Sequence, residues 1–148
     1  MRQGVDVVFT TCAGLMFLSA ARDLITIFLA LELSSIPQYI LAGWGKDEKS
    51  SEAGLKYLLL GAFSSGFLVY GFSVLYGLSG STKLAAIRMA LESRGASDPL
   101  VILALVTVSV GLLFKISAVP FHMWAPDAYE GAPTTVTAYL AAGSKAAS

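Results

Sequence analysis

Three ionisable side chains fall inside stretches of sequence that are otherwise apolar. Glu32 lies within Leu24–Gly43, Lys115 within Pro99–Phe121 and Lys145 within Pro133–Ser148. A charge at the centre of a bilayer costs roughly 2.5–3.5 kcal/mol on insertion scales, so a chain that keeps several has a use for them. The residue types suit proton transfer. A lysine beside a carboxylate holds its proton, and withdrawing the carboxylate leaves the ammonium uncompensated and favours release. A Glu/Lys/Lys series is therefore a relay whose members exchange protons as their pairing changes. The alternative is a static ion pair that fixes helix register, with one lysine reaching to an interface. Counted from the side of the Lys46 loop, Glu32 lies ~16 Å deep, Lys115 ~9–12 Å and Lys145 ~18 Å. Those depths fall within ~9 Å, which long side chains and bridging water can span.

Two further residues join the candidates. Lys56 stands near a helix entrance, where a lysine snorkels to the interface. His122, the single histidine, either passes protons near neutral pH or marks an interface beside Trp124. Pro37 and Pro120 follow Glu32 and Lys115 by the same short interval. A proline frees a carbonyl about one turn earlier, and broken helices beside ionisable residues line hydrated cavities in transporters. A plain packing kink at Pro37 and an interface at Pro120 are the alternatives. Nothing near His122 has metal-ligand spacing. The chain shows no phosphate loop, nucleophile elbow or paired catalytic carboxylates, so no metal, cofactor or covalent chemistry is expected on it.

The elements that must hold these residues are membrane helices. Of 148 residues, 55% are hydrophobic and 14% charged, with a formal net charge of zero. Mean hydropathy is +0.70. Soluble domains carry roughly 25% charge, so an ordinary soluble enzyme, a nucleic-acid binder and a disordered chain are excluded. One cysteine rules out an internal disulfide framework. The apolar runs predict an all-α, polytopic bundle in one domain, 1–148, with helices near 5–21, 24–43, 53–78, 99–121 and 133–148. A polar loop, 44–52, separates the second and third. Residues 79–98 read as an interfacial amphipathic segment, opened by Ser81-Thr82 and closed by Gly95. Gly61, Ser65, Gly66 and Gly71 suit close helix contact. A tight turn on Pro126, Asp127 and Gly131–Pro133 precedes the last run. That run is short and places Lys145 beside the chain end, which leads to the expectation that the natural protein continues. Basic residues are nearly even on the two sides, so orientation stays open.

Three stretches carry a resemblance. Leu31–Pro37, Ser51–Gly61 and Gly111–Asp127 resemble the antiporter-like, proton-translocating subunits of respiratory complex I. Tyr129–Thr137 and Gly143–Ala147 are most similar to the subunit N branch of that family, although Thr135 stands where the turn usually has a second proline. The resemblance implies that Glu32 pairs with Lys115, that loosening the pair gates proton loading, and that Lys145 passes the proton along a central hydrated axis. It raises Lys56 and His122 to further relay positions. It also implies that NADH, FMN, iron–sulfur clusters and quinone belong to other subunits. The expected partners are other membrane-arm subunits, antiporter-like ones above all, and the lipid bilayer; the expected place is a bacterial inner membrane. These residues resemble the first of two inverted five-helix repeats, so the chain is expected to be a fragment without a complete proton path. A subunit of a multi-subunit cation/proton antiporter or membrane-bound hydrogenase shares the pattern. A non-conducting scaffold is the reading from another class.

Overall fold

The computed structural model describes residues 2–45 and 47–145, with side chains except at 2, 3 and 144. Lys46 and the end of the fifth apolar run, 146–148, lie outside the described residues. The described chain is helical, with α1 (Arg2–Ala20), α2 (Leu24–Ala42), α3 (Glu48–Ser79), α4 (Leu84–Arg94), α5 (Pro99–Lys115), α6 (Trp124–Gly131) and α7 (Thr134–Tyr139). A π-helical turn, Leu140–Ser144, follows α7.

Helices α2 and α3 are long and apolar enough to cross a membrane, while 4–20 and α5 are shorter apolar helices. Helix α3 starts earlier than its apolar content suggests. Asp47 caps it by accepting the Ser50 N–H at 2.7 Å, so most of the polar loop expected at 44–52 is helix. At 32 residues it is ~48 Å long and outruns a ~30 Å hydrocarbon core, leaving its Glu48–Glu52 turns beyond it. It ends at Gly80, whose φ of +67° is the left-handed conformation a C-cap requires.

Small residues set the helix spacing. A Cβ on Gly14 would lie 2.6 Å from the Ser34 nitrogen on α2, and one on Gly71 would lie 2.6 Å from Val108 on α5. At Gly61 a Cβ would collide with the Tyr39 hydroxyl. Gly66 differs from the expectation, because it faces away and nothing lies within 4 Å of its would-be Cβ. It is rotated ~100° from Ser65, off the face that carries positions 61, 64, 68 and 71.

Asp23 accepts from the Thr26 hydroxyl at 2.6 Å and the Thr26 N–H at 2.9 Å, opening α2. Leu24 N–H donates to Thr82 and Leu84 N–H to Arg22, tying the start of α2 to the start of α4. The amphipathic helix α4 begins after Lys83, without the side-chain cap expected from Ser81-Thr82, and does end at Gly95. Pro99 occupies the first turn of α5, after Asp98 accepts the Leu100 N–H at 2.9 Å.

The fourth span was expected to reach Phe121, but α5 stops at Lys115. Ser117 takes φ +56° and the Val119–Pro120 bond is cis. The left-handed backbone at Ser117 takes the chain out of the helix two residues after Lys115, and Pro120 offers no N–H with which to resume it. The expected tight turn contains helix α6, with Pro126 in its first turn. Pro37 does not break α2, which runs through it.

Candidate functional site

Helix α2 presents Glu32 and Ser35 on one face, since residues three apart are neighbours on a helix. Helix α5 delivers Lys115 at its last turn, where it is buried at 8% exposure. The Lys115 Nζ lies 3.9 Å from Glu32 Oε1. That separation is long for a hydrogen bond, and each charge is met instead by a hydroxyl. Lys115 donates to Ser35 Oγ at 2.7 Å, and Ser65 of α3 donates to Glu32 Oε1 at 2.6 Å. Ser35 in turn donates to the Leu31 carbonyl.

Magnitudes explain why the serines are there. Two charges 4 Å apart attract by about 4 kcal/mol at an effective dielectric of 20. Placing both in a membrane interior costs about 5–7 kcal/mol. Attraction alone falls short, and hydrogen bonds to charged groups, worth about 1.5–3 kcal/mol each, make up the difference. The pair is thus held loosely, with hydroxyls as local solvent.

Lys145 enters from the π-helical turn. Its ammonium donates to the Lys115 carbonyl at 3.1 Å and makes a close contact with Ser117 Oγ. The last carbonyls of a helix lack intrahelical donors and carry the negative end of its dipole, so a cation is favourable there. Lys115 and Lys145 are therefore joined through the end of α5: one contributes its side chain to Glu32, the other caps its backbone. Trp124, expected at an interface, is instead 3% exposed in a core with Tyr39, Tyr57, Phe114 and Leu140.

Lys56 stands elsewhere. It is exposed and pairs with Glu52 at 2.8 Å and Asp127 at 3.0 Å, while Lys49 pairs with Glu130 at 2.6 Å. These contacts strap the start of α3 to α6. His122 is exposed, in the segment between α5 and α6. The Tyr39 hydroxyl, buried near Gly61, finds no hydrogen-bond partner among the described residues.

Sequence reasoning missed Ser117 and the buried role of Trp124, and read Ser65 only as a small contact residue. Ser35 was findable, because it lies three residues past Glu32. Ser65 comes from another helix, and no spacing within the chain announces it.

The pattern of the family described as NADH:quinone oxidoreductase/Mrp antiporter, transmembrane, matches residues 21–148. NADH-quinone oxidoreductase subunit N 2 of Solibacter usitatus is 65% identical over 143 residues, which are 96% of this chain and 29% of that protein. A subunit in the structure of respiratory complex I from Thermus thermophilus with bound aureothin superposes with a TM-score of 0.83 at 40% identity, covering 95% of this chain and 31% of that one. A chain of the membrane-bound sulfane sulfur reductase, an archaeal respiratory membrane complex, gives the same TM-score of 0.83 at 26% identity, covering 93% and 29%. This chain thus spans under a third of the length of the relatives it matches. By pattern, sequence identity and superposition alike, the chain belongs to the NADH:quinone oxidoreductase/Mrp antiporter transmembrane family.

Proposed function

We propose that this chain is the relay-bearing part of a proton-translocating membrane subunit of NADH-quinone oxidoreductase. The observation that carries the reading is the buried Lys115 ammonium 3.9 Å from Glu32, hydrogen-bonded to a serine rather than to the carboxylate. Such a pair can open without breaking a direct hydrogen bond. When Glu32 withdraws, Lys115 keeps only the Ser35 hydroxyl, and its proton moves toward a neutral Lys145 at the other side of the α5 terminus. Bridging water carries the step. Lys145 then holds the proton against the carbonyl end of α5, where positive charge is favoured. Lys56 and His122 serve as outer members, exchanging protons with the exposed face.

Electron transfer, with NADH, FMN, iron–sulfur clusters and quinone, belongs to other subunits in this reading. The driving free energy reaches the relay through contact with neighbouring antiporter-like subunits in a bacterial inner membrane. The similarity to subunit N supports the NADH-quinone oxidoreductase assignment over a cation/proton antiporter.

The test uses the full-length protein in its complex, in sealed membrane vesicles. Lys115→Met and Glu32→Gln are expected to lower proton pumping per electron transferred several-fold while assembly, read on native gels, stays near wild type. Equal loss of pumping and assembly in both would make the pair a structural clamp and end the relay reading.

A further inference from the structure

Trp124 meets three separate parts of the site. Its indole N–H donates to the Phe114 carbonyl at 3.1 Å, in the last turn of α5. One ring face stacks on Tyr57 at 4.2 Å, nearly parallel at 3°. Tyr57 donates its hydroxyl to Gln38 at 3.0 Å, on the helix that carries Glu32. The Lys145 Nζ lies 4.6 Å from the indole centroid, within the ~6 Å reach of a cation–π contact. A buried indole with one edge on a helix terminus, one face on an anchored ring and a cation at the ring does more than fill space.

We propose that Trp124 is a positioning residue for the relay, whose indole holds the Lys145 ammonium at the carbonyl end of α5, on the backbone of Lys115. This rests on Lys145 acting in the relay. Tryptophan suits the task because it offers the strongest π face and an N–H on the same rigid plane. The N–H fixes the plane to α5, the Tyr57 stack stops it from rotating, and the cation finds the ring already oriented. Loss of the face frees the lysine to follow its own rotamers, and the distance to Lys115 is no longer set.

The experiment is a double-mutant cycle on the full-length protein in its complex, reading protons pumped per electron in sealed vesicles. Trp124→Leu keeps an apolar side chain without a π face, and Lys145→Met removes the cation. Trp124→Leu is expected to lower the ratio about threefold or more, a fold-change at the lower end of what a cation–π contact is worth. In the Lys145→Met background it is expected to lower it no further. A Trp124→Leu variant that pumps as wild type, or one whose loss is the same with Lys145 already removed, overturns the proposal. Lys145→Met pumping as wild type would instead overturn the relay role of Lys145 itself. Fluorinated tryptophans placed at 124 provide the second measurement, since they keep shape and N–H while weakening the face. A graded fall in the ratio with fluorine number supports the proposal even if Trp124→Leu does not assemble, and a flat series overturns it.

Discussion

At the scale of single residues, the site depends on hydroxyls as much as on charges. Ser65 supplies the short hydrogen bond to Glu32, and Ser35 the one to Lys115. Ser65→Ala removes a bond of about 1.5–3 kcal/mol to a charged group and leaves the Glu32 side chain without its short hydrogen bond. The expected outcome is a measurable fall in proton pumping at normal assembly, smaller than that of Glu32→Gln. Infrared difference spectroscopy of the carboxylate stretch provides the direct check, with a band displaced by loss of the serine hydrogen bond. Glu32, Lys115 and Lys145 were legible in the sequence because charge stands out in apolar runs. Ser117 and Trp124 were not, because a serine near a helix end and a tryptophan near a proline have common innocent explanations. Only the three-dimensional path of the chain between α5 and α6 gives them their partners.

At the scale of elements, α3 is the common wall of the bundle, and its small residues decide how near α5 approaches. Gly71→Val puts new atoms where Val108 and Thr107 already stand, and overpacking of this kind costs about 1–3 kcal/mol. A lower thermal midpoint of the detergent-solubilised complex, with pumping reduced through displacement of α5, is expected. The start of α2 responds to acid. The Thr26 hydroxyl, followed by its N–H, holds the Asp23 carboxyl below the usual carboxylate value. A lowered folded value means that the cap is fully effective above the unfolded carboxylate pKa and is lost as pH falls through the folded one. Hydrogen exchange at the Thr26 amide, corrected for intrinsic rate, is therefore expected to stay slow near neutrality and accelerate below about pH 4. Helices α2 (Leu24–Ala42) and α3 (Glu48–Ser79) lie over the apolar runs 24–43 and 53–78, since apolar length is what hydropathy reads. The fourth expected helix was drawn six residues too long, because the apolar residues from Ile116 onward continue its composition after its hydrogen bonds have stopped.

At the scale of the whole molecule, many large apolar side chains face outward. Phe9, Met16, Phe17 and Phe63 are 70%, 74%, 60% and 68% exposed. Large apolar side chains exposed to this degree on separate helices fit contact with lipid or with neighbouring membrane subunits better than contact with water. Expressed in bacteria, the chain is expected to stay in the membrane pellet through alkaline carbonate washing and to be released by detergent. Recovery in the wash supernatant would contradict a transmembrane assignment. The straps between α3 and α6 are of a different kind. Exposed ion pairs contribute little and are screened by salt, so the packing of Trp124, Ala125 and Ala128 holds α6, and the charges select its orientation.

The wider winding at Leu140–Ser144 bears on how this sequence is compared with others. Such a turn accommodates one more residue than the α-helical ladder needs. Beyond it, the face presented by each position is shifted relative to the positions before it. A homologue lacking a single residue here would wind as a plain α-helix and still bring its lysine to the end of α5, whereas one that kept every residue but closed the turn to α would swing its lysine ~100° around the helix axis. Equivalent basic residues in distant relatives are therefore to be matched by the direction they face across this winding, and a one-residue gap in the sequences is the signature of a conserved place.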